Sequence, residues 1–310
     1  MTTPFQPVML LAHGSPTSLD DLPDFLSSVR GGLPVPPQLI AAYEERYRQI
    51  GGHSPLPEIT ARIAAALARA RGRPVYIGMR HGEPTIDCAL QQMLDTIPTH
   101  STVSLTAICL TPYYSRMTVG GYEAALRSAV DPYGDRARLT FVKDWYREPD
   151  FLRAIQHTIE TGLRRLPLSE QGSATIIFSA HSLPERLREA GDPYPQQVYE
   201  TAQHIAGRLN WPSDRWILAY QSAPPTPEPW LSPNLMDEVR RRAAADAKQI
   251  LVVPIGFVVD NVEVRYDLDI ELQQVAGDLG LRLERAPLLN DAPGLIAALS
   301  SAIDRAGPVL

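Results

Sequence analysis

The sequence predicts an α/β fold of two similar Rossmann-like units, each with a four-stranded parallel sheet flanked by helices. Three observations carry that expectation. Short β-branched or apolar runs alternate with helical patterns along the whole chain, as in a doubly wound sheet. The runs are apolar throughout rather than at every second residue, as strands buried on both faces are. The two halves also echo each other: LLAHGSP around His13 resembles FSAHSLP around His181, each an apolar strand ending in Ala-His with a proline close behind.

In the first half, strands are expected at Val8 to Ala12, Val75 to Met79, Val103 to Leu110 and Leu139 to Val142. Helical spacing marks Pro57 to Arg71, Pro84 to Asp95 and Val119 to Val130, the last broken by Asp131-Pro132. The second half repeats the count, with strands at Thr175 to Ser179, Trp216 to Tyr220, Ile250 to Pro254 and Leu281 to Arg285. Its helices are expected at Pro195 to Leu209, Asn234 to Ala247, Val262 to Asp278 and Pro293 to Asp304. The boundary is expected near Pro167 to Gly172, giving an N-terminal unit of residues 1–168 and a C-terminal unit of residues 169–310.

The connection from Ser15 to Pro55 is long for a compact α/β unit and carries Pro34, Pro36, Pro37 and Gly51-Gly52, as lids and binding lips do. It also carries Arg30, Arg46 and Arg48 beside Tyr43 and Tyr47. Each arginine alone reads as a solvated side chain. Together on a lip, they suit carboxylates on a flat aromatic ligand, through bidentate pairing and stacking.

With 310 residues and 44% hydrophobic content the chain can bury a sizeable core, and its formal net charge of -6 gives no basic footprint for nucleic acid. The two cysteines, Cys88 and Cys109, have no metal-site or disulfide spacing and read as small buried hydrophobes of a cytoplasmic protein. The N-terminal stretch MTTPFQPVMLLAHG lacks a basic leader, so export is not expected. The longest apolar run, Ile250 to Val259, is interrupted by Pro254 and falls far short of the roughly 20 residues that cross a bilayer. No transmembrane segment is expected; peripheral membrane contact stays open, and the expected state is a monomer.

One chemical constellation stands out. Thr175 to Phe178 would deliver His181 to the C-terminal rim of a sheet, where open α/β folds place their ligands. Glu263, Asp267 and Glu271 recur every four residues after another strand, so a helix would align them at about 6 Å per step. Asp260 and Asp269 lie near that path. A lone histidine at a strand end is ordinarily a local hydrogen-bonding cap, and a charge series on a helix is ordinarily a solvated face. On one rim, however, an imidazole and a carboxylate can bind a borderline divalent metal or move protons near neutral pH. HExxH, P-loop, GxGxxG and GxSxG patterns are all absent, which removes the usual signals of zinc proteolysis, NTP hydrolysis, dinucleotide binding and serine esterase chemistry.

SAHSLPER at Ser179 to Arg186, GDPYPQQ at Gly191 to Gln197, YQSAPPTPEPWLSP at Tyr220 to Pro233 and VPIGFVVDNVEVRYDLDIE at Val253 to Glu271 resemble the ferrochelatase family. RYRQIGGHSPL at Arg46 to Leu56 and YIGMRHGEP at Tyr76 to Pro84 extend the resemblance over nearly the whole chain. The resemblance implies insertion of ferrous iron into a porphyrin in haem biosynthesis, with the active cleft between the two units. It implies His181 and Glu263 as the catalytic and metal-binding pair, and Asp267 and Glu271 as a metal or proton path. It also implies porphyrin contacts from His13, Arg30, Arg46, Tyr47, Ser54 and Tyr122; His81 matches a family histidine near the cleft. No organic cofactor and no iron–sulfur cluster is expected. His13 stands where relatives carry tyrosine or methionine, and Asn261 where many carry histidine. The short length and the Arg30, Arg46 and Ser54 matches favour coproporphyrin III as substrate. Protoporphyrin IX, another tetrapyrrole such as sirohydrochlorin or a cobalt corrinoid precursor, and non-catalytic haem carriage with His13 as axial ligand are the alternatives.

Overall fold

Eight strands and eleven α-helices follow the expected alternation in a computed structural model that describes residues 6–98, 101–169, 171–224 and 226–307. The first five residues of the N-terminal stretch, and Pro225 within the YQSAPPTPEPWLSP segment, lie outside the described residues. In chain order the elements are β1 (Val8–Ala12), α1 (Leu22–Val29), α2 (Pro37–Gln49), α3 (Leu56–Arg71), β2 (Val75–Met79), α4 (Ile86–Asp95), β3 (Val103–Cys109), α5 (Val119–Val130) and β4 (Ala137–Val142). There follow α6 (Pro149–Leu163), β5 (Thr175–His181), α7 (Glu185–Glu189), α8 (Tyr194–Arg208), β6 (Trp216–Gln221), α9 (Leu235–Ala244) and β7 (Gln249–Val253). A π-helix (Val264–Glu271), α10 (Leu272–Asp278), β8 (Arg282–Arg285) and α11 (Pro293–Ala306) complete the chain.

Both sheets are parallel throughout, and their strand orders are equivalent: β2-β1-β3-β4 in the first and β6-β5-β7-β8 in the second. The internal echo in the sequence therefore has a structural counterpart. His13 follows the central strand β1, and His181 ends the central strand β5. Every residue of β1 is buried, as a strand covered on both faces requires. In the first unit, Met9, Leu11, Leu105 and Ala107 pack against Leu90 and Met93 of α4 and Leu126 of α5; in the second, Ile177 and Val252 pack with Val264, Leu268 and Leu272.

The structure moves the expected boundary. The first compact unit runs to Trp145 and takes back Val259–Val262 and the chain from Asn290 on; the second comprises Tyr146–Val258 and Glu263–Leu289. Two helices are responsible. α6, which the strand-and-helix reading did not assign, buries Phe151, Ile155 and Ile159 and packs on β7 and β8. Gly162 permits its close approach: a Cβ there would stand 2.6 Å from Leu251 Cδ1 and 3.2 Å from Ala286 Cα. α11 instead packs on α3, β3 and β4, so it belongs to the first unit, and Arg71 of α3 pairs with its Asp304 at 2.8 Å.

Two further expectations are corrected. The segment from Val262 to Asp278 is not a continuous α-helix, because its first half is the π-helix, with i→i+5 bonding and a wider turn. The regular 6 Å step assumed for the carboxylates therefore does not hold. Cys109 is buried, but Cys88, at the start of α4, is exposed. Among the described residues, no helix is long and apolar enough to cross a membrane.

Candidate active site

In the second unit, β5 carries His181 to its C-terminal end, where it lies in register with Gln221 of β6. The backbone at this point is fixed from three sides. Tyr194 Oη donates to the His181 carbonyl at 2.8 Å, Ser182 N–H donates to the Gln221 carbonyl at 2.8 Å, and Gly256 N–H donates to the Ser179 carbonyl at 3.0 Å. Gly256 has to be glycine, since a Cβ would meet Ala180 Cα at 2.5 Å. Below the histidine, Ser179 Oγ donates to Gln221 Oε1 at 2.8 Å, both side chains being buried.

The imidazole is held at both nitrogens. Nδ1 lies 2.5 Å from the Ser182 carbonyl and Nε2 lies 3.4 Å from Glu263 Oε1, with about a third of each side chain exposed (31% and 30%). Asp267 is buried one π-turn on, and Ser222 Oγ donates to its Oδ2 at 2.5 Å. Ser222 has a positive φ of 61°, an uncommon conformation for a residue with a side chain, and one that recurs at functional sites. Glu271, at the end of the π-helix, is exposed. The structure thus gathers His181, Glu263 and Asp267, with Glu271 farther along. Asp269 does not join them, because Arg285 of β8 holds its carboxylate at 2.5 and 2.8 Å. Asp260, counted with the path by sequence, falls in the first unit and exchanges hydrogen bonds with Asn290. Among the described residues, no three His, Cys, Asp or Glu side chains come together in a metal-holding cluster.

Electrostatics separate the two histidines nearest to chemistry. For His181, burial is the largest single influence and pushes the imidazole down. The Glu263 carboxylate, by charge and hydrogen bond, together with the Ser182 carbonyl and the charge of Asp267, outweighs burial and raises the group from 6.5 to about 9. His181 is therefore an imidazolium at neutral pH. His81, in the first unit, is lowered to about 4, chiefly by burial and then by His13 and Arg80.

Opposite pH limbs follow. The raised pKa of His181 means that its pairing stabilises the fold fully below 6.5 and that this contribution is lost as pH rises through about 9. The depressed pKa of His81 means that stability is full above 6.5 and is lost as pH falls toward 4. Thermal melts across pH 4–10 are expected to show a shallower alkaline limb in His181→Asn and a shallower acid limb in His81→Gln. Unaltered limbs in both variants would contradict these protonation states.

In the first unit, His13 is exposed, and its ring lies 4.9 Å from that of His81 and 5.9 Å from that of Phe25. Ser28 Oγ of α1 sits 2.8 Å from His81 Nδ1, which ties the last turn of α1 to the strand ends. Arg30 follows two residues later and is exposed; Arg46 of α2 stacks 5.4 Å from the Tyr43 ring centroid. Tyr47 is buried with Leu22 and Leu26, and Ser54 is buried with its hydroxyl accepting from Leu56 N–H at 3.3 Å. Tyr122 is buried beneath the Arg80 guanidinium, 5.4 Å from its ring centroid, and burial pushes its phenol far up. Of the residues expected from sequence, His13 and Arg30 thus present side chains to solvent in this unit, Arg46 is half-buried, and Tyr47, Ser54 and Tyr122 are enclosed. Sequence reasoning did not single out Tyr194, Ser222 or Ser28. The first two lie inside the GDPYPQQ and YQSAPPTPEPWLSP segments, whereas nothing local marks Ser28.

The two parallel α/β units share one topology, and a histidine–carboxylate pair stands at the C-terminal rim of the second sheet. A solved structure of the sirohydrochlorin chelatase SirB from Bacillus subtilis subspecies spizizenii, in complex with cobalt, superposes with a TM-score of 0.55 at 12% identity, covering 97% of this chain and 95% of its own; the likeness is one of fold. The family model described as Ferrochelatase matches residues 6–306. A ferrochelatase from Deinococcus radiodurans is 36% identical over 303 residues, covering 96% of this chain and 95% of its own. A coproporphyrin III ferrochelatase from Anoxybacillus flavithermus is 34% identical over 304 residues, with 96% and 94% covered. The chain belongs to the ferrochelatase family, the lyases that insert iron into a porphyrin.

Proposed function

We propose that this enzyme inserts Fe²⁺ into coproporphyrin III, with His181 and Glu263 receiving the metal and the pyrrole protons. Two pyrrole protons leave as one Fe²⁺ enters, so the site must both accept protons and hold a cation that is shedding water. The pair at 3.4 Å supports this reading. With His181 protonated and Glu263 ionised, the pair is neutral. A ferrous ion approaching the carboxylate displaces the imidazolium proton to solvent, which reaches the partly exposed ring, and leaves a neutral ring nitrogen free to ligate or to take up a pyrrole proton. Asp267, buried and hydrogen-bonded to Ser222, provides the next carboxylate for the released charge.

The choice of coproporphyrin III rests on its extra propionates and on the arginines of the lip. Arg30 is exposed and has no ion pair among the described residues, so its guanidinium can take a carboxylate without first surrendering one. Relatives from Anoxybacillus flavithermus and Listeria monocytogenes that bear the coproporphyrin III name, 34% and 32% identical, support the same substrate. The test is anaerobic incubation with Fe²⁺ and coproporphyrin III, protoporphyrin IX or sirohydrochlorin, followed by absorption. Faster metallation of coproporphyrin III is expected, and a preference for either other ring would overturn the assignment. Arg30→Ala or Arg46→Ala is expected to raise the porphyrin KM about fivefold, the worth of one exposed charge-assisted contact, with kcat nearly unchanged. Unchanged KM in both would leave these arginines as solvated surface.

A further inference from the structure

A π-helix is rare and is seen mostly as a single turn within an α-helix. Here one runs from Val264 to Glu271, with Glu263 as its N-cap, and its wide turn sets where Glu263 and Asp267 sit. Apolar packing holds one side of it, through Val264, Leu268 and, just beyond, Leu272. Such packing is non-directional and does not by itself fix the rotation of a helix about its axis.

A directional tie exists on another side. Arg285, at the end of β8, donates from Nε to Asp269 Oδ1 at 2.5 Å and from Nη2 to Oδ2 at 2.8 Å, a bidentate fork with only 13% of the arginine side chain exposed. Arg285 lies in register with Val252 of β7, and its Nη1 donates to the Ala286 carbonyl at 3.2 Å, so the fork is anchored to the sheet. Asp269 stands two residues after Asp267. At about 100° per residue the two carboxylates leave the helix on roughly opposite sides, and π geometry keeps them well apart. One reaches Ser222 beside His181, and the other reaches Arg285. Arg265, 3.8 Å from Asp269, stands four residues before it on the same helix, so that pair is internal to the helix.

We propose that the Asp269–Arg285 pair is a positioning device for metal handling, fixing the setting of the π-helix and thereby the approach of Glu263 to His181 and of Asp267 to Ser222. Neither residue is part of the His181–Glu263 pair, so each would act through the helix rather than on the reacting atoms. The inference rests on the assignment of His181 and Glu263 as the metal-handling pair. An ordinary stabilising ion pair in the same place would affect melting temperature but not the kinetic constants of the folded enzyme.

The experiment uses full-length Asp269→Asn and Arg285→Gln, the milder Asp269→Glu and Arg285→Lys, and Glu263→Gln in parallel. Lysine keeps the charge of Arg285 but not its fork. Porphyrin Kd is read by fluorescence, Co²⁺ affinity without porphyrin by calorimetry, and kcat and KM for Fe²⁺ by absorption. The first two variants are expected to lose about tenfold in Co²⁺ affinity and in kcat/KM for iron, the usual scale for groups that orient metal ligands, with porphyrin Kd within about twofold. The milder variants are expected to fall between these and wild type, and they decide the matter if the first two do not fold. Lower melting temperatures with unchanged Co²⁺ affinity and iron kinetics would overturn the proposal, as would equal losses toward iron and porphyrin. If Glu263→Gln loses both metal readouts and the clamp variants lose neither, this inference alone fails. If Glu263→Gln itself behaves as wild type, the assignment beneath it fails too.

Discussion

Replacing His181 by alanine, or Glu263 by glutamine, is expected to lower kcat for iron insertion by about 10²- to 10⁴-fold, the range a positioned acid–base group supplies. Porphyrin affinity is expected to change by less than about threefold. The geometry separates the two effects: both side chains meet at the C-terminal rim of the second sheet, and no arginine or other candidate propionate anchor belongs to that pair. Glutamine keeps the shape of Glu263 and removes its charge, so the 3.4 Å contact can persist while the basicity and the cation attraction vanish. The imidazolium then loses its largest support, and the His181 pKa falls toward its ordinary value or below, because burial remains. Because the two residues act as one unit, the double variant should be little worse than either single. Single-turnover absorption changes under anaerobic conditions measure the rate and porphyrin fluorescence measures the affinity. Near-normal turnover in either single variant would remove these residues from the chemistry.

Gly14→Ala is expected to cost more than about 4 kcal/mol and to leave little soluble protein at growth temperature. Two penalties combine there. The φ of 92° lies where side chains are disfavoured, which alone costs about 1–2 kcal/mol. A Cβ would also stand 1.6 Å from the His81 carbonyl oxygen, a backbone atom that cannot swing aside because His81 N–H is bonded to the His13 carbonyl at 2.8 Å. Gly31 supplies the control, since its φ of 72° is also positive but nothing lies within 4 Å of the added carbon. Gly31→Ala is expected to cost only the conformational share, about 1 kcal/mol. Chemical denaturation of both variants tests this. Similar losses at the two positions would mean that the contact beneath His13 yields far more easily than its geometry implies.

The strands were the most legible part of the fold, because apolar runs such as VMLLA and ATIIF have few other uses in a chain of this composition. Helix boundaries were legible where proline or an Asp-Pro pair stopped a pattern, as at Val119 to Val130. α6 was not assigned, although Phe151, Ile155 and Ile159 form a clear stripe just before the expected boundary at Pro167 to Gly172. The π form of the carboxylate segment left no local trace. Both its polar and apolar residues recur every four positions, a spacing that an ordinary helix also tolerates. That His181 and Glu263 come together was legible through the family resemblance and their shared rim. Arg285 was not, because its partner Asp269 is set by the register of β8 on β7, which no window of sequence contains. Ser54 and Tyr47 show the converse: family matching singled them out, while the fold encloses both.

The placement of α11 bears on the order in which the chain can fold. Leu295, Ile296, Leu299 and Ile303 bury their side chains in the first unit, at roughly 1.5–3 kcal/mol apiece, against elements made more than 150 residues earlier. The second sheet is complete once β8 has emerged, whereas the first remains uncovered on one flank until α11 follows. Vectorial synthesis ordinarily completes the N-terminal domain first. Here the first-made sheet is the last to be closed, by a helix that arrives long after its strands, with the entropic and kinetic cost that such long-range closure carries. A released chain truncated after Leu289 should therefore protect β5–β8 from proteolysis while α3 and β4 remain open to it.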